Sequence, residues 1–376
     1  GETGNSGVQY YLGGPITLTA SETITNATGP TTHAVNLNPN IAGPAYTLDL
    51  VKAGSGAGYQ IDNATATSLN LKGLTLGAAT YLTLGSGNGI NPLAQLTANG
   101  GQLTIGTNST LYYLGTGGGA GPLVNPAAIA WQGGCTLDLP IVGGGNGDSY
   151  WRITSNLTVS AASGLTRVNS RPKRGYMTVD APYALIIGNG GTYSLDISSG
   201  GFYEYLEGNL KLLNGATVVG SGSALGGMIR GTTGTLTLGD GSGTPAAPSV
   251  VTIQGDHGAG FNTFNIGYAT NVTESGTVKV RYASSGAPAS SIFNVGWSLG
   301  GTINGAAVAL RETAGGTEFA PRAGGGGVAV VGATSGTVAT FSKAATVTTA
   351  GMVGFYNADP NNTRGALGPV LLASGG

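Results

Sequence analysis

Residues able to do chemistry are few in this sequence and widely spaced. Asp256-His257 is the one place where a histidine adjoins a carboxylate, the pairing that a general acid–base unit needs. Gly255 and Gly258 flank the pair and give it the composition of a turn. Adjacent side chains also do not face one another as a dyad requires. His33 stands alone in a Thr/Pro segment. Carboxylates lined along one face would suit cleavage of a polysaccharide, and the nearest approach to such a set is Asp138, Asp180, Asp196, Glu204 and Glu207. Asp138 and Asp196 sit at the centres of apolar–any–apolar triads, which predicts that both point outward. Two such groups stacked at strand spacing would raise a carboxyl pKa. Isolated ones would simply be solvated charges that discourage lateral sheet pairing.

Metal and cofactor chemistry is equally sparse. Gly144-Gly145-Asn146-Gly147-Asp148 has the flavour of a calcium-binding turn, but its Asp arrives one residue early and the motif occurs once. Gly239-Asp240-Gly241-Ser242-Gly243 reads as a good turn and a poor calcium site. No catalytic, cofactor or metal residue is expected. The single cysteine, Cys135, excludes a disulfide within the chain and is expected to be a buried thiol. Arg167, Arg171, Lys173 and Arg174 cluster around Pro172, with Tyr176 following. A chain of net charge −1 lacks the broad positive field that nucleic acid requires, so a loop docking on an acidic surface is the better expectation. Phe202, Tyr203 and Tyr205 could stack on sugars or fill a core, and residues 202–207 are the one stretch expected to form a helical turn.

The elements that must carry these residues follow a simple pattern. Leu236-Thr237-Leu238, Val251-Thr252-Ile253, Phe264-Asn265-Ile266, Val278-Lys279-Val280, Phe293-Asn294-Val295 and Val308-Ala309-Leu310 are all apolar–any–apolar, and their last residues fall 15, 13, 14, 15 and 15 positions apart. Period-two alternation is the mark of a strand with one buried face, and near-fixed spacing is the mark of a stacked array. Earlier triads include Leu74-Thr75-Leu76, Leu82-Thr83-Leu84 and Leu103-Thr104-Ile105, closed by Gly77, Gly85 and Gly106. Gly makes up 71 of 376 residues, about three times ordinary usage, yet 40% of residues are hydrophobic, which argues for a folded β-rich chain. Gly, Thr, Ser and Val also disfavour helix. The expected fold is all-β, a parallel β-helix (β-solenoid) using two or three triads and roughly 20 to 30 residues per coil. A multi-domain β-sandwich is the alternative, since Asn-Gly pairs at Asn88, Asn99, Asn146, Asn189, Asn214 and Asn304 permit hairpins. The expected divisions are an N-terminal arm with first strands at 1–65, a solenoid body at 66–340 with an irregular insertion near 161–183, and a C-terminal strand and tail at 341–376.

Gly234-Thr235-Leu236-Thr237-Leu238-Gly239 and Phe293-Asn294-Val295-Gly296 resemble the Gly-rich strand repeats of bacterial autotransporter passengers and related surface β-helix proteins. The resemblance covers residues 66–340 in style. It implies a right-handed parallel β-helix at or beyond the cell surface. The alternating strands and terminal aromatic of an autotransporter barrel are not seen, and the resemblance carries over no catalytic residue. A cleaved secretory signal is the expected reason that the sequence starts at Gly1, which places the chain outside the cell or on its surface. No apolar run reaches the roughly 18 residues needed to span a bilayer. Possible glycosylation sequons lie at Asn26, Asn63, Asn108, Asn156, Asn271 and Asn361.

Bare solenoid ends pair with other chains unless they are capped. Short apolar β segments near both ends, Tyr10, Tyr11, Leu12, Ile16 and Leu18 on one side and Val370, Leu371 and Leu372 on the other, suit head-to-tail stacking or strand exchange. The expected function is a non-enzymatic structural subunit of an extracellular filament, sheath or surface layer. Its expected partners are copies of itself and, secondarily, surface polysaccharide, with no nucleic acid and no membrane insertion. A surface adhesin or carbohydrate-binding β-helix is the second reading, and a polysaccharide lyase or hydrolase the third.

Overall fold

A computed structural model describes residues 10–12, 14–27, 35–37, 40–53, 58–61, 68–85, 92–113, 116–117, 123–124, 126–139, 149–170, 176–197, 205–222, 227–230, 235–244, 247, 249–256, 263–268, 271–274, 278–284, 292–295, 318–319, 327–332, 339–341, 346–347, 352–357 and 370–372. The chain is all-β, built as a parallel β-solenoid. It divides into two compact units, Gly1–Ser155 with Ala161–Ser170, and Asn156–Ser160 with Arg171–Gly376.

The first unit is organised by one parallel ladder of seven strands. In order they are Tyr10–Leu12, Val35–Leu37, Tyr59–Ile61, Tyr81–Leu84, Thr110–Tyr113, Cys135–Leu139 and Leu165–Ser170. Each step along the ladder is one coil of chain. Leu82 pairs with Leu111 and Leu111 with Leu137, spacings of 29 and 26 residues. The alternation is the reason these segments are strands: Tyr81–Leu84 and Thr110–Tyr113 each bury their second and fourth residues and leave the other two half-exposed. Stacking aligns the buried positions into a column of Tyr59, Leu82, Leu111, Leu137 and Val168. Every coil therefore covers the apolar face of the one before it, at about 25 cal/mol per Å² of surface removed from water. A second parallel ladder runs Ile16–Thr17, Asn40–Lys52, Ser68–Leu76, Gln102–Ile105 and Ile129–Trp131, with Glu22–Asn26 also paired to Asn40–Lys52. Ser149–Ile153 pairs parallel with Leu123–Val124 and antiparallel with Thr116–Gly117.

Corners repeat as faithfully as strands. Just before four successive ladder strands, Ala79, Asn108, Gly134 and Gly164 all have positive φ, from 52° to 79°. Gly164 tolerates no side chain there, because a Cβ would run into the carbonyl of Trp131 in the preceding coil. Asn suits the same left-handed conformation at Asn108.

A helix, Pro92–Ala98, is inserted in this unit where none was expected. Leu93 and Leu96 bury themselves at one-turn spacing, and Gly100 follows at φ 73°, the usual pattern of Pro at the start and Gly beyond the end. Its purpose is visible at Leu69, in the first half of Ser68–Leu76. Gln95 Oε1 accepts the Leu69 N–H at 3.1 Å, and Asn99 Nδ2 donates to the Leu69 carbonyl at 3.5 Å. The helix therefore covers a strand edge that the next coil leaves open.

Most described strands of the second unit lie in three ladders, with two further two-stranded pairs, Glu318–Phe319 with Thr346–Val347 and Ala339–Phe341 with Val370–Leu372. One contains Leu157–Val159, Ala184–Ile187, Asn209–Leu212, Thr235–Leu238 and Asn271–Glu274; another contains Thr192–Ile197, Ala216–Gly222, Ser249–Asp256 and Val278–Ser284; the third runs from Tyr176–Val179 through Tyr205–Glu207, Gly227–Arg230, Thr263–Tyr268, Ile292–Val295 and Gly327–Gly332 to Met352–Asn357. The spacing of about fourteen seen between triads is thus mostly the step from one face to the next. The coil itself repeats at 29 residues where Ser249 pairs with Val278 and Phe264 with Phe293. Residues 308–310, the last expected triad, lie outside the described residues. One expectation needs correction. Tyr205–Glu207 is a strand, not a helical turn, because its backbone pairs in register with Tyr176–Thr178 and tertiary pairing outweighs local preference. Within 161–183, Leu165–Ser170 and Tyr176–Val179 are ladder strands, and residues 171–175 lie outside the described residues.

Candidate functional site

Part of the outer face of the first unit's main ladder is chemically rich. Register places Tyr81, Thr110, Thr136 and Arg167 in one outward column, and Thr83, Tyr112, Asp138 and Asn169 in the column beside it. The rings of Tyr81 and Tyr112 meet edge to face, with centroids 5.6 Å apart and planes at 85°. Beyond them, Asn169 Nδ2 donates to Asp138 Oδ2 at 3.1 Å, and Arg167 Nε donates to Asn169 Oδ1 at 3.0 Å. Both ends of the Asn169 amide are used, which fixes its orientation.

A β-bulge creates this arrangement. Cys135 pairs with Leu165, but Thr136 pairs with Arg167, so Thr166 is the extra residue. Thr166 Oγ1 donates to the Cys135 carbonyl at 3.2 Å. Without the bulge Arg167 would oppose Leu137 and point into the core. With it, Arg167 is exposed and Asn169 lands beside Asp138. Bulges characteristically re-aim side chains in this way.

Asp138 takes the outward position expected of it but is not a solvated charge, being only 2% exposed. Its ladder neighbours are Tyr112 and Asn169, so the carboxylate is held by an amide and not stacked on a second acid. Asp196 registers with Ser221, which registers with Asp256. Asp180 lies at the corner after Tyr176–Val179 and is half-buried, and Glu207 registers with Thr178. Glu204, His33, His257 and the Gly144–Asp148 turn lie outside the described residues, as do Arg171, Lys173, Arg174, Phe202 and Tyr203.

The turn at Asp240 is internally satisfied. Asp240 Oδ1 accepts from the Ser242 hydroxyl at 2.5 Å, the Ser242 N–H at 2.9 Å and the Ser249 hydroxyl at 3.1 Å. The Ser242 side chain, then the Ser242 amide, hold this carboxyl below its usual range. Among the described residues no three of His, Cys, Asp and Glu come together as metal ligands. Cys135 is buried, its sulfur 3.3 Å from the Gly106 carbonyl.

The sequons divide by environment. Asn26 is 1% exposed, with its Nδ2 directed at the Gly58 carbonyl, so the folded chain offers no acceptor there. Asn108 is an exposed corner residue. Asn156 is exposed, but its Oδ1 accepts the Ala184 N–H at 2.9 Å. Asn271 opens the strand Asn271–Glu274, and Asn63 and Asn361 lie outside the described residues.

Of the expected assembly residues, Tyr10, Tyr11 and Leu12 register with Val35, Asn36 and Leu37, and Leu12 is 45% exposed. Ile16 pairs with Ile41. Leu18 is buried and its N–H donates to the Ala42 carbonyl at 2.7 Å, which makes it a core residue. Val370, Leu371 and Leu372 register with Ala339, Thr340 and Phe341. Among the described residues, no helix is long and apolar enough to cross a membrane.

No protein family model matches this chain, and neither characterised proteins nor solved structures yield a match.

Proposed function

We propose that this chain is a non-enzymatic structural subunit of an extracellular filament, sheath or surface layer, joined to further copies of itself through ladder edges. The observation that carries the reading is the position of Tyr10–Leu12. Among the described strands it has a single neighbour, Val35–Leu37, and it is the outermost strand of its parallel sheet. Among the described residues the other side of its backbone has no partner strand, and Leu12 adds an exposed apolar side chain. Val370–Leu372 has the same standing, with Ala339–Phe341 as its one described partner. Parallel edges join without reversal of direction, and a contact between unlike edges propagates when its rotation does not close a ring. A net charge of −1 offers little repulsion between copies. Resemblance to surface β-helix repeats agrees with a site of action outside the cell.

Sedimentation velocity over a hundredfold range of protein concentration tests the proposal. The full chain should form large species as concentration rises. Leu12→Lys, which places a charge on the open edge, and Tyr11→Pro, which removes an edge donor, should each reduce that assembly at least tenfold while leaving the circular dichroism spectrum unchanged. A chain that stays monomeric throughout, or variants that assemble like the parent, would overturn it.

A further inference from the structure

The strip on the outer face of the first unit has properties that self-assembly through ladder edges does not use. We infer that Tyr81, Tyr112, Asn169 and Arg167 form a binding strip for a polysaccharide chain, supported from beneath by Asp138. Sugar rings present an apolar face and a rim of hydroxyls that both donate and accept. A site for them needs an aromatic surface and planar polar groups whose own orientation is already fixed.

Both requirements are met within four consecutive ladder strands. Tyr112 and Tyr81 are half-exposed and hold each other edge to face, so their rings are positioned with little entropy left to lose on binding. The Arg167–Asn169–Asp138 chain of hydrogen bonds locks an amide and a guanidinium beside them. Arg167 commits its Nε to Asn169 while its side chain remains exposed, and the guanidinium carries four further N–H donors. The effect of the bulge at Thr166 is to bring Arg167 and Asn169 outward.

The geometry favours a polymer over a single sugar. Strands in a ladder repeat at about 4.8 Å, a distance comparable to the length of one sugar residue, so a chain lying along the ladder axis meets an equivalent position at each strand. A nucleic acid would need a wider cationic surface than one exposed arginine supplies. The alternative to binding is purely structural: the hydrogen-bond chain would then only satisfy the buried carboxylate.

Affinity electrophoresis of the full chain through gels containing a β-1,3-glucan, a β-1,4-xylan, alginate or hyaluronan separates the two. At least one polymer should retard the protein. Tyr112→Ala and Arg167→Ala should each weaken that retardation about tenfold, in line with the loss of an anchoring aromatic or arginine, while Tyr112→Phe keeps most of it. Thermal unfolding of the same variants controls for folding, since Tyr112 and Arg167 lie outside the core. If all four polymers leave mobility unchanged, or the two alanine variants bind like the parent, the inference fails. Sedimentation of the Arg167→Ala variant should match the parent, so this result is independent of the assembly proposal.

Discussion

Tyr59 shows how a single polar atom can be carried inside a solenoid. Its ring is fully buried, and its hydroxyl accepts the Asn26 N–H at 2.7 Å while lying 2.6 Å from the Val51 carbonyl and 2.7 Å from that of Ile24. Burial raises its pKa, and the backbone hydrogen bonds from Asn26 and to Val51 partly oppose the rise. The phenol therefore stays neutral and donates. Removing it strands one N–H and a carbonyl in a dry site. Tyr59→Phe should lower stability by about 1–3 kcal/mol, read as a lower urea midpoint at unchanged slope. A midpoint equal to the parent's would mean that water or other groups satisfy those atoms. Tyr113 follows a different rule: burial alone raises its pKa, and its carbonyl accepts the Trp151 indole N–H at 3.1 Å.

At the scale of elements, asparagine ties one coil to the next. Asn209 Nδ2 donates to the Tyr183 carbonyl at 2.9 Å on one side, and its Oδ1 accepts the Thr235 N–H at 3.0 Å on the other. Asn156 and Asn214 make similar bonds to Ala184 and Val250. Asn209→Ala should cost about 1–2 kcal/mol and should speed hydrogen exchange at the Thr235 amide specifically; unchanged exchange there would contradict the role. Much of this level was legible in the sequence. Triads such as Leu82-Thr83-Leu84 and Leu236-Thr237-Leu238 announced parallel strands with buried flanks, and the closing glycines marked corners. The Pro92–Ala98 helix could also have been found, since Pro92, the Leu93/Leu96 pair and Gly100 are its boundary signals. What was not legible was the strip. Tyr81, Tyr112, Asp138 and Asn169 come together only when coils of 29, 26 and 31 residues stack, and Arg167 joins them only through a bulge. Period two assigned Asp138 to the outer face correctly but said nothing of its burial.

At the scale of the whole molecule, the apolar interior and the one chemically dense strip seen among the described residues suit the structural role proposed above. The described inward positions of the first unit's main ladder are largely Leu, Ile, Val and Tyr, while the outward ones include Thr83, Thr110 and Thr136 beside the Tyr81–Arg167 group. Such a ladder can be extended by another copy without any new fold, because the bonds at the junction would be those already made between coils. Fibre diffraction from aligned polymer is the most direct measurement of this claim. If subunits join edge to edge, the strand repeat of about 4.8 Å should appear as a sharp reflection along the filament axis. Failure to obtain filaments, or filaments in which that reflection lies perpendicular to the axis, would contradict it.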